Sequence, residues 1–256
     1  MTTASEEPLP QEERHLLDRK QKVSHVLARQ ILNDVLLRDY RPGDSLGGEA
    51  ELLQRYKVGR GSLREALRLL EVHGLIYIRP GPGGGPVLSS VDSRDFGRMA
   101  ALFFQYNGAV LGELIHARLV VEPLLAAMAA SNRDPVEIKG LVDIMSRATS
   151  NPIDDDALWV RESHAFHNYI AHLAGNRVLE LFANSLKEIF SERIKGKPLT
   201  LDERREVLDA HHRIAQAIEQ GDGATAEREM RDHMTQVASH SSESHAGLLD
   251  EIIQWR

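Results

Sequence analysis

Between residues 58 and 87 the chain changes its hydrophobic period once, and no other stretch limits its fold so tightly. In Val58-Gly59-Arg60-Gly61-Ser62-Leu63-Arg64-Glu65-Ala66-Leu67-Arg68-Leu69-Leu70, the residues Leu63, Ala66, Leu67 and Leu70 fall on one helical stripe. Arg60, Arg64 and Arg68 recur every four residues and form a second, basic stripe. Gly74 stops the helix. A β-rich stretch follows through Arg79, then a Gly/Pro tip over residues 80–86, then a second apolar stretch from Val87. A helix with one cationic face therefore precedes a hairpin. Taken alone, the stripe also fits a solvated helix face beside an ordinary hairpin.

The residues upstream add the missing parts. Residues 21–37 form a long amphipathic segment with Val23, Val26, Leu27, Ile31, Val35 and Leu36 at its apolar positions. Arg41-Pro42-Gly43-Asp44 is a turn signal. Residues 49–56 are a short helix carrying Leu52 and Leu53, and Lys57-Val58-Gly59 is a tight connection. The order is helix, turn, short helix, tight turn, basic helix, hairpin. A winged helix-turn-helix uses these parts to seat one helix in a DNA major groove with a wing beside it.

Residues 21–88 resemble the DNA-binding domain of the GntR family of bacterial transcription regulators. The matching pieces are Arg41-Pro42-Gly43-Asp44, Glu49 with Glu51-Leu52-Leu53, Val58-Gly59-Arg60, Leu63-Arg64-Glu65-Ala66-Leu67, Leu70 and Gly74-Leu75. The resemblance implies that Arg60 and Arg64 read DNA, with Gly61 and Ser62 at the helix entrance and Gly81 in the wing. Arg68 extends the basic stripe. Gly59 and Gly61 stand where relatives often carry small hydroxyl residues that contact phosphate. Ala50 stands where some relatives have a basic residue, so the sequence bound here is expected to differ.

Charge distribution supports that placement. The net charge is −7 over 256 residues. Residues 18–90 hold 12 basic against 8 acidic side chains, a balance of +4, while residues 91–256 hold 18 against 26, a balance of −8. Such a modest basic patch predicts salt-sensitive DNA binding by a homodimer on a two-fold symmetric operator. With no cysteine the chain has neither disulfides nor thiolate metal sites. No apolar run reaches the roughly 18 residues of a membrane span, and the acidic, proline-containing start does not read as a signal peptide. The expectation is a cytoplasmic protein with a disordered tail over residues 1–17, a winged helix-turn-helix over 18–90, and a second domain over 91–256.

Beyond residue 91 the periodicity is helical throughout. Apolar-faced segments cover residues 92–106, 110–131, 135–149, 154–174, 177–194, 202–220 and 224–240, and residues 243–256 add a further helix or fray. The fold class is mainly α: an N-terminal winged helix-turn-helix plus a C-terminal all-α antiparallel bundle. Its histidines cluster by helix, with His164, His167 and His172 on one segment, His211 and His212 on another and His233 on the last. A bundle can aim such side chains at its centre and hold a metal, although most helical histidines lie at the surface.

Residues 96–240 resemble the FCD ligand-binding domain of the FadR-like branch. The landmarks are Arg118 with Glu122, Phe166-His167, Gly175-Asn176, His211, Ala217-Ile218, Gly221-Asp222 and Met230 with His233. The resemblance implies a divalent metal (Zn, Ni or Mn) on His167, His211 and His233, with Ser163 at the position where relatives carry an aspartate. A serine hydroxyl is a weak, uncharged ligand, and its loss of charge should lower metal affinity. Glu162 is one residue along and is expected to face elsewhere. His164 is nearer the right face but has no family precedent. The implied effector is a small carboxylate or fatty-acyl compound. Arg118 either fixes its carboxylate or pairs with Glu122 at i+4, and Phe103 offers either an acyl-binding surface or core packing. The implied activity is that of an effector-released repressor without enzymatic function. The alternative is a tri-histidine metalloenzyme with an accessory DNA-binding domain.

Overall fold

The computed structural model describes the backbone of residues 11–81, 83–90, 92–194, 199–244 and 247–255, and side chains over these residues from 23 onward except 241–244. The chain divides into two compact units, Met1–Val91 and Asp92–Arg256.

The first unit holds α1 (Gln11–Leu37), α2 (Glu49–Tyr56), α3 (Arg60–Val72), β1 (Ile76–Arg79) and β2 (Gly85–Leu88). Of the tail expected over residues 1–17, residues 1–10 lie outside the described residues. Residues 11–17 are instead the first turns of α1, whose Gln- and Glu-containing sequence has good helix propensity. Leu27 and Ile31 of α1, Leu52 of α2 and Leu63, Ala66, Leu67 and Leu70 of α3 form one buried core with Leu46 and Ile76. The 41–44 turn closes through Arg41 N–H donating to Asp44 Oδ2 at 2.8 Å, and Gly43 supplies its φ of +96°. Leu46 N–H donating to the Pro86 carbonyl at 2.9 Å then ties that turn to the base of the hairpin. The strands pair antiparallel, Ile76 with Leu88 through Arg79 with Gly85. At the tip a Cβ on Gly84 would lie 2.2 Å from the Arg79 carbonyl oxygen, so only glycine closes this wing.

The second unit is helical: α4 (Ser93–Tyr106), α5 (Leu111–Ala129), α6 (Pro135–Ser150), α7 (Asp156–Leu173), α8 (Arg177–Ile194), α9 (Leu201–Gln220) and α10 (Gly223–Ser244). Its helices start and stop where local chemistry dictates. Asp92, Asp134 and Asp155 cap α4, α6 and α7 by accepting from backbone N–H groups. Thr200 and Glu203 form a reciprocal capping box on α9, which ends at the left-handed Gly221. The helix α5 is apolar nearly all round and packs against α7, α8, α9 and α10, as expected for a central helix. Its two buried charges, Arg118 and Glu122, are the exception. Residues 248–253 form a short 3-10 turn (Leu248–Asp250) and then an extended strap, where the sequence left a helix or fraying open. Ile253 N–H donates to the Ala109 carbonyl and Leu111 N–H to the Glu251 carbonyl, so the strap pairs with the chain between α4 and α5.

Candidate functional site

In the first unit, packing sorts α3 into two faces. Its apolar stripe is buried, and Arg60, Arg64 and Arg68 are exposed. Arg64 and Arg68 line one groove of about 490 Å³ together with Arg79, Gly81, Gly84 and Pro86 of the hairpin. Arg60, Gly61 and Ser62 occupy the first turn of α3, outside that lining. The α3 N-cap, Gly59, has no side-chain cap bond, so first-turn N–H groups remain available to a phosphate. Arg64 Nη2 lies 3.3 Å from Glu49 Oε2 with both side chains exposed, a pair that contributes little and yields readily to DNA. Arg79, not singled out from the sequence, is brought to the groove by β1. Its place directly before the Gly/Pro tip is the signal that marks it.

Arg64→Ala is expected to weaken operator binding by about 1–3 kcal/mol and to relax specificity at one position. Anisotropy titrations on operator and random duplexes check this, and equal losses on both would reduce Arg64 to a phosphate contact.

In the second unit, His167 on α7, His211 on α9 and His233 on α10 meet at the centre of the bundle. Nε2 of His233 lies 3.3 Å from Nε2 of His211 and 3.3 Å from Nε2 of His167, and one ligand atom from each ring falls within 4.8 Å of the others. Two nitrogens bound to one tetrahedral ion at about 2.0–2.1 Å stand roughly 3.3–3.4 Å apart, so both contacts have the spacing of a shared metal. Phe166 stacks on the His211 ring at 3.9 Å between centroids and fixes its plane. Behind His167, Glu122 Oε2 stands 2.6 Å from Nδ1, the place where a carboxylate orients a ligating imidazole. Arg118 Nε in turn donates to Glu122 Oε1 at 2.6 Å, and its guanidinium lies 5.3 Å from the centre of the Phe190 ring.

Burial keeps two of these rings, those of His211 and His233, neutral. Burial, reinforced by the other histidines, holds His211 well below its ordinary value and pushes His233 down to about 3. A neutral imidazole has the lone pair that a metal requires. For Glu122, burial acts upward, but Arg118 and His167 outweigh it and hold the carboxyl well below the usual range. The sign for folding follows. Above the ordinary histidine value of 6.5 neither folded nor unfolded chain protonates the His211 and His233 rings. Below it the unfolded chain gains protons that the folded chain refuses. In chelator-treated protein the bundle is therefore expected to lose stability steadily from pH 6.5 toward about 3. A melting temperature flat across that window would contradict the assignment.

The remaining sequence candidates are placed differently. Ser163 lies one turn before His167 and lines a cavity of about 30 Å³ with His211, Trp159, Arg204 and Glu162. Glu162 thus reaches the same cavity as Ser163, against expectation. Its carboxylate is engaged by Arg161 at 2.9 Å and Arg147 at 3.5 Å. His164 is not at the cluster, and its Nε2 meets Ser191 Oγ at 2.8 Å. Phe103 is 59% exposed on α4 and lines neither of the cavities beside the histidines. The α4–α8 packing buries Gly97 and Ala101 and turns Phe103 outward. Arg118 is consumed by Glu122, so the geometry favours the ion pair over direct carboxylate capture. Lys187, which sequence reasoning passed over, is 3% exposed on α8. Its ammonium donates to the His164 carbonyl and Asn168 Oδ1, and burial pushes it down to about 8. Nothing in its Ser-Leu-Lys-Glu context distinguishes it from a surface lysine.

A winged helix-turn-helix with an arginine-lined groove, joined to a helical bundle with three converging histidines, defines a DNA-binding transcription regulator with a sensory domain. Residues 23–84 match the bacterial regulatory proteins of the gntR family, and residues 113–236 match the FCD domain. The chain is 27% identical over 232 residues to the HTH-type transcriptional repressor NanR of Citrobacter rodentium, covering 86% of this chain and 85% of that protein. It is also 27% identical over 224 residues to NanR of Salmonella typhimurium, covering 86% and 84%. A Streptococcus agalactiae GntR structure superposes with a TM-score of 0.67 at 22% identity, over 84% of this chain and 99% of that one. The chain belongs to the GntR family of bacterial transcription regulators, in the group that carries an FCD domain. It is a ligand-responsive DNA-binding regulator and not an enzyme, which sets the metalloenzyme alternative aside. No helix among the described residues is long and apolar enough to cross a membrane.

Proposed function

We propose that this chain is a cytoplasmic repressor that binds a two-fold symmetric operator as a homodimer and releases it when the bundle takes up a small carboxylate. The observation that carries the reading is the convergence of three buried imidazoles at metal spacing in a chain whose other unit presents a basic helix beside a wing. DNA contacts fall to Arg60, Gly61, Ser62, Arg64, Arg68 and Gly81, with Arg79 added by its place in the groove. His167, His211 and His233 would hold a divalent ion such as zinc, nickel or manganese, which supplies a Lewis-acidic anchor for an anionic effector. Glu122 and Arg118 position His167 for it. The repressor names of the relatives support the sign of the response.

The cavities beside the histidines also explain why binding must move helices. They measure about 10 and 30 Å³, room for little more than a water molecule. A carboxylate effector enters only if α6, α7 or α9 shifts, and an effector alters DNA affinity to the extent that it prefers the shifted state. Selection of genomic fragments by the purified protein at near-physiological salt tests the reading. The expected result is a short palindrome whose binding weakens on addition of one carboxylate from a panel. No enriched sequence under any condition would overturn it.

A further inference from the structure

We propose that the cavity between α4, α8 and the C-terminal strap is a second ligand site, separate from the histidine centre, and that it takes a zwitterion with an apolar side chain, the class of the apolar α-amino acids. The cavity measures about 270 Å³ and shares no lining residue with the two small cavities beside the histidines. Its volume lies just below the roughly 300–1,000 Å³ of drug-sized ligand sites, so a small metabolite has room without a helix moving. Its charges are divided between its walls. Helix α4 contributes Arg94 and Arg98, one turn apart, and α8 contributes Glu188 and Glu192, also one turn apart. Ala101, Leu111, Ile189 and Ile253 supply the apolar part of the lining. Opposite charges on neighbouring helices ordinarily pair with each other. Here Arg94 pairs with Asp92 at 2.6 Å and Arg98 pairs with Asp95, both within the start of α4. Both guanidinium side chains are largely exposed, so these pairs yield to a ligand carboxylate at little cost. The one ion-pair contact of Glu188 among the described residues is His164 Nδ1 at 3.9 Å, and burial pushes that imidazole down to about 4, which leaves the ring uncharged at neutral pH. Arg193 stands where the strap meets α8. Its Nη2 holds Glu251 of the strap, while its Nε is buried with no hydrogen-bond partner among the described residues. A buried donor without an acceptor is costly, and a ligand oxygen would relieve it. A plain carboxylate is welcomed by the arginines and opposed by the glutamates, and a plain amine meets the reverse. A zwitterion answers both rows at once, with its carboxylate among the arginines, its ammonium beside the glutamates and its side chain on the apolar lining.

The test is binding to the full-length, chelator-treated protein, so that no metal at the histidines contributes. L-Leucine and L-phenylalanine are compared with half ligands that keep the side chain and lack one charge. Isocaproate and hydrocinnamate lack the ammonium, and isoamylamine and phenethylamine lack the carboxylate. Isothermal titration, backed by saturation-transfer NMR, reads each affinity. At least one amino acid should bind about tenfold or more tighter than both of its half ligands, the weight of one charge-assisted hydrogen bond. Arg98→Gln should erase the advantage over the amine, and Glu188→Gln the advantage over the acid. Both side chains reach solvent, so both variants should fold, which thermal unfolding checks. An acid or amine that binds the unaltered protein as well as its amino acid overturns the zwitterion assignment. No binding by any of these compounds, or amino-acid binding that both variants leave unchanged, overturns the site. Neither result bears on the histidine centre, which shares no residue with this cavity.

Discussion

Arg118→Leu should destabilise the helical bundle by about 3–5 kcal/mol, the cost of leaving a buried carboxylate without its cation. Arg118 and Glu122 have side chains only 5% and 7% exposed, and their 2.6 Å contact is made within one helix, one turn apart. Glu122 then retains only His167 at 2.6 Å, a weaker partner than the fixed charge of a guanidinium. The double variant Arg118→Leu with Glu122→Leu removes both charges and fills their volume with apolar atoms. It should recover most of the loss, because a buried pair is seldom better than well-packed hydrophobic residues. Urea unfolding of the single and double variants in chelator-treated protein measures the interaction energy. Losses that simply add in the double variant would show that the pair does not act as a unit. Metal affinity should fall in the double variant even where stability returns, since His167 would lose the carboxylate behind it.

Phe103→Glu combined with Met99→Glu is expected to convert the proposed dimer to a monomer and to weaken operator binding by roughly 10²–10⁴-fold, the gain that linking two half-site contacts ordinarily gives. Helix α4 leaves Phe96, Met99, Leu102, Phe103 and Tyr106 exposed, between 39% and 88% of their surface. Phe96 runs on into Phe182 of α8, ring centres 6.4 Å apart, so the apolar surface spans two helices. Folded monomers rarely expose aromatic patches this continuous. In the proposed homodimer a second copy would cover such a face across a two-fold axis, so one introduced charge would act twice. Sedimentation or light scattering reads the oligomer, and the salt dependence of operator binding reads the phosphate contacts. Its log–log slope should fall to about half when one copy binds. A variant that remains dimeric would place the interface elsewhere and leave the α4 face without this role.

The DNA-binding unit was legible because its determinants are local. A 3.6-residue period places Leu63, Ala66, Leu67 and Leu70 inside and Arg60, Arg64 and Arg68 outside whatever the helix packs on, and glycines at the wing tip state their own conformation. The helical count of the second unit was legible for the same reason, since Gly175 and Gly221 end helices by backbone chemistry alone. The three histidines were legible only through resemblance. Their sequence separations, 44 and 22 residues, carry no geometric information, and a lone helical histidine reads as a surface residue.

By itself the sequence determined every property that depends on residues within about one helical turn of each other: element type, amphipathic faces, caps, the basic stripe and the Arg118–Glu122 spacing. Tertiary structure alone decided which of those residues meet. Packing of α7, α9 and α10 around α5 brought three imidazoles to 3.3 Å contacts and put Glu122 behind His167, turning an intrahelical ion pair into part of a candidate metal site. Packing of α8 against α7 and α4 buried Lys187 and turned Phe103 outward, reversing what each residue's chemistry suggests in isolation. The physical reason is that burial and charge compensation are set by neighbours distant in the chain, and those neighbours are chosen by how helices fill space together.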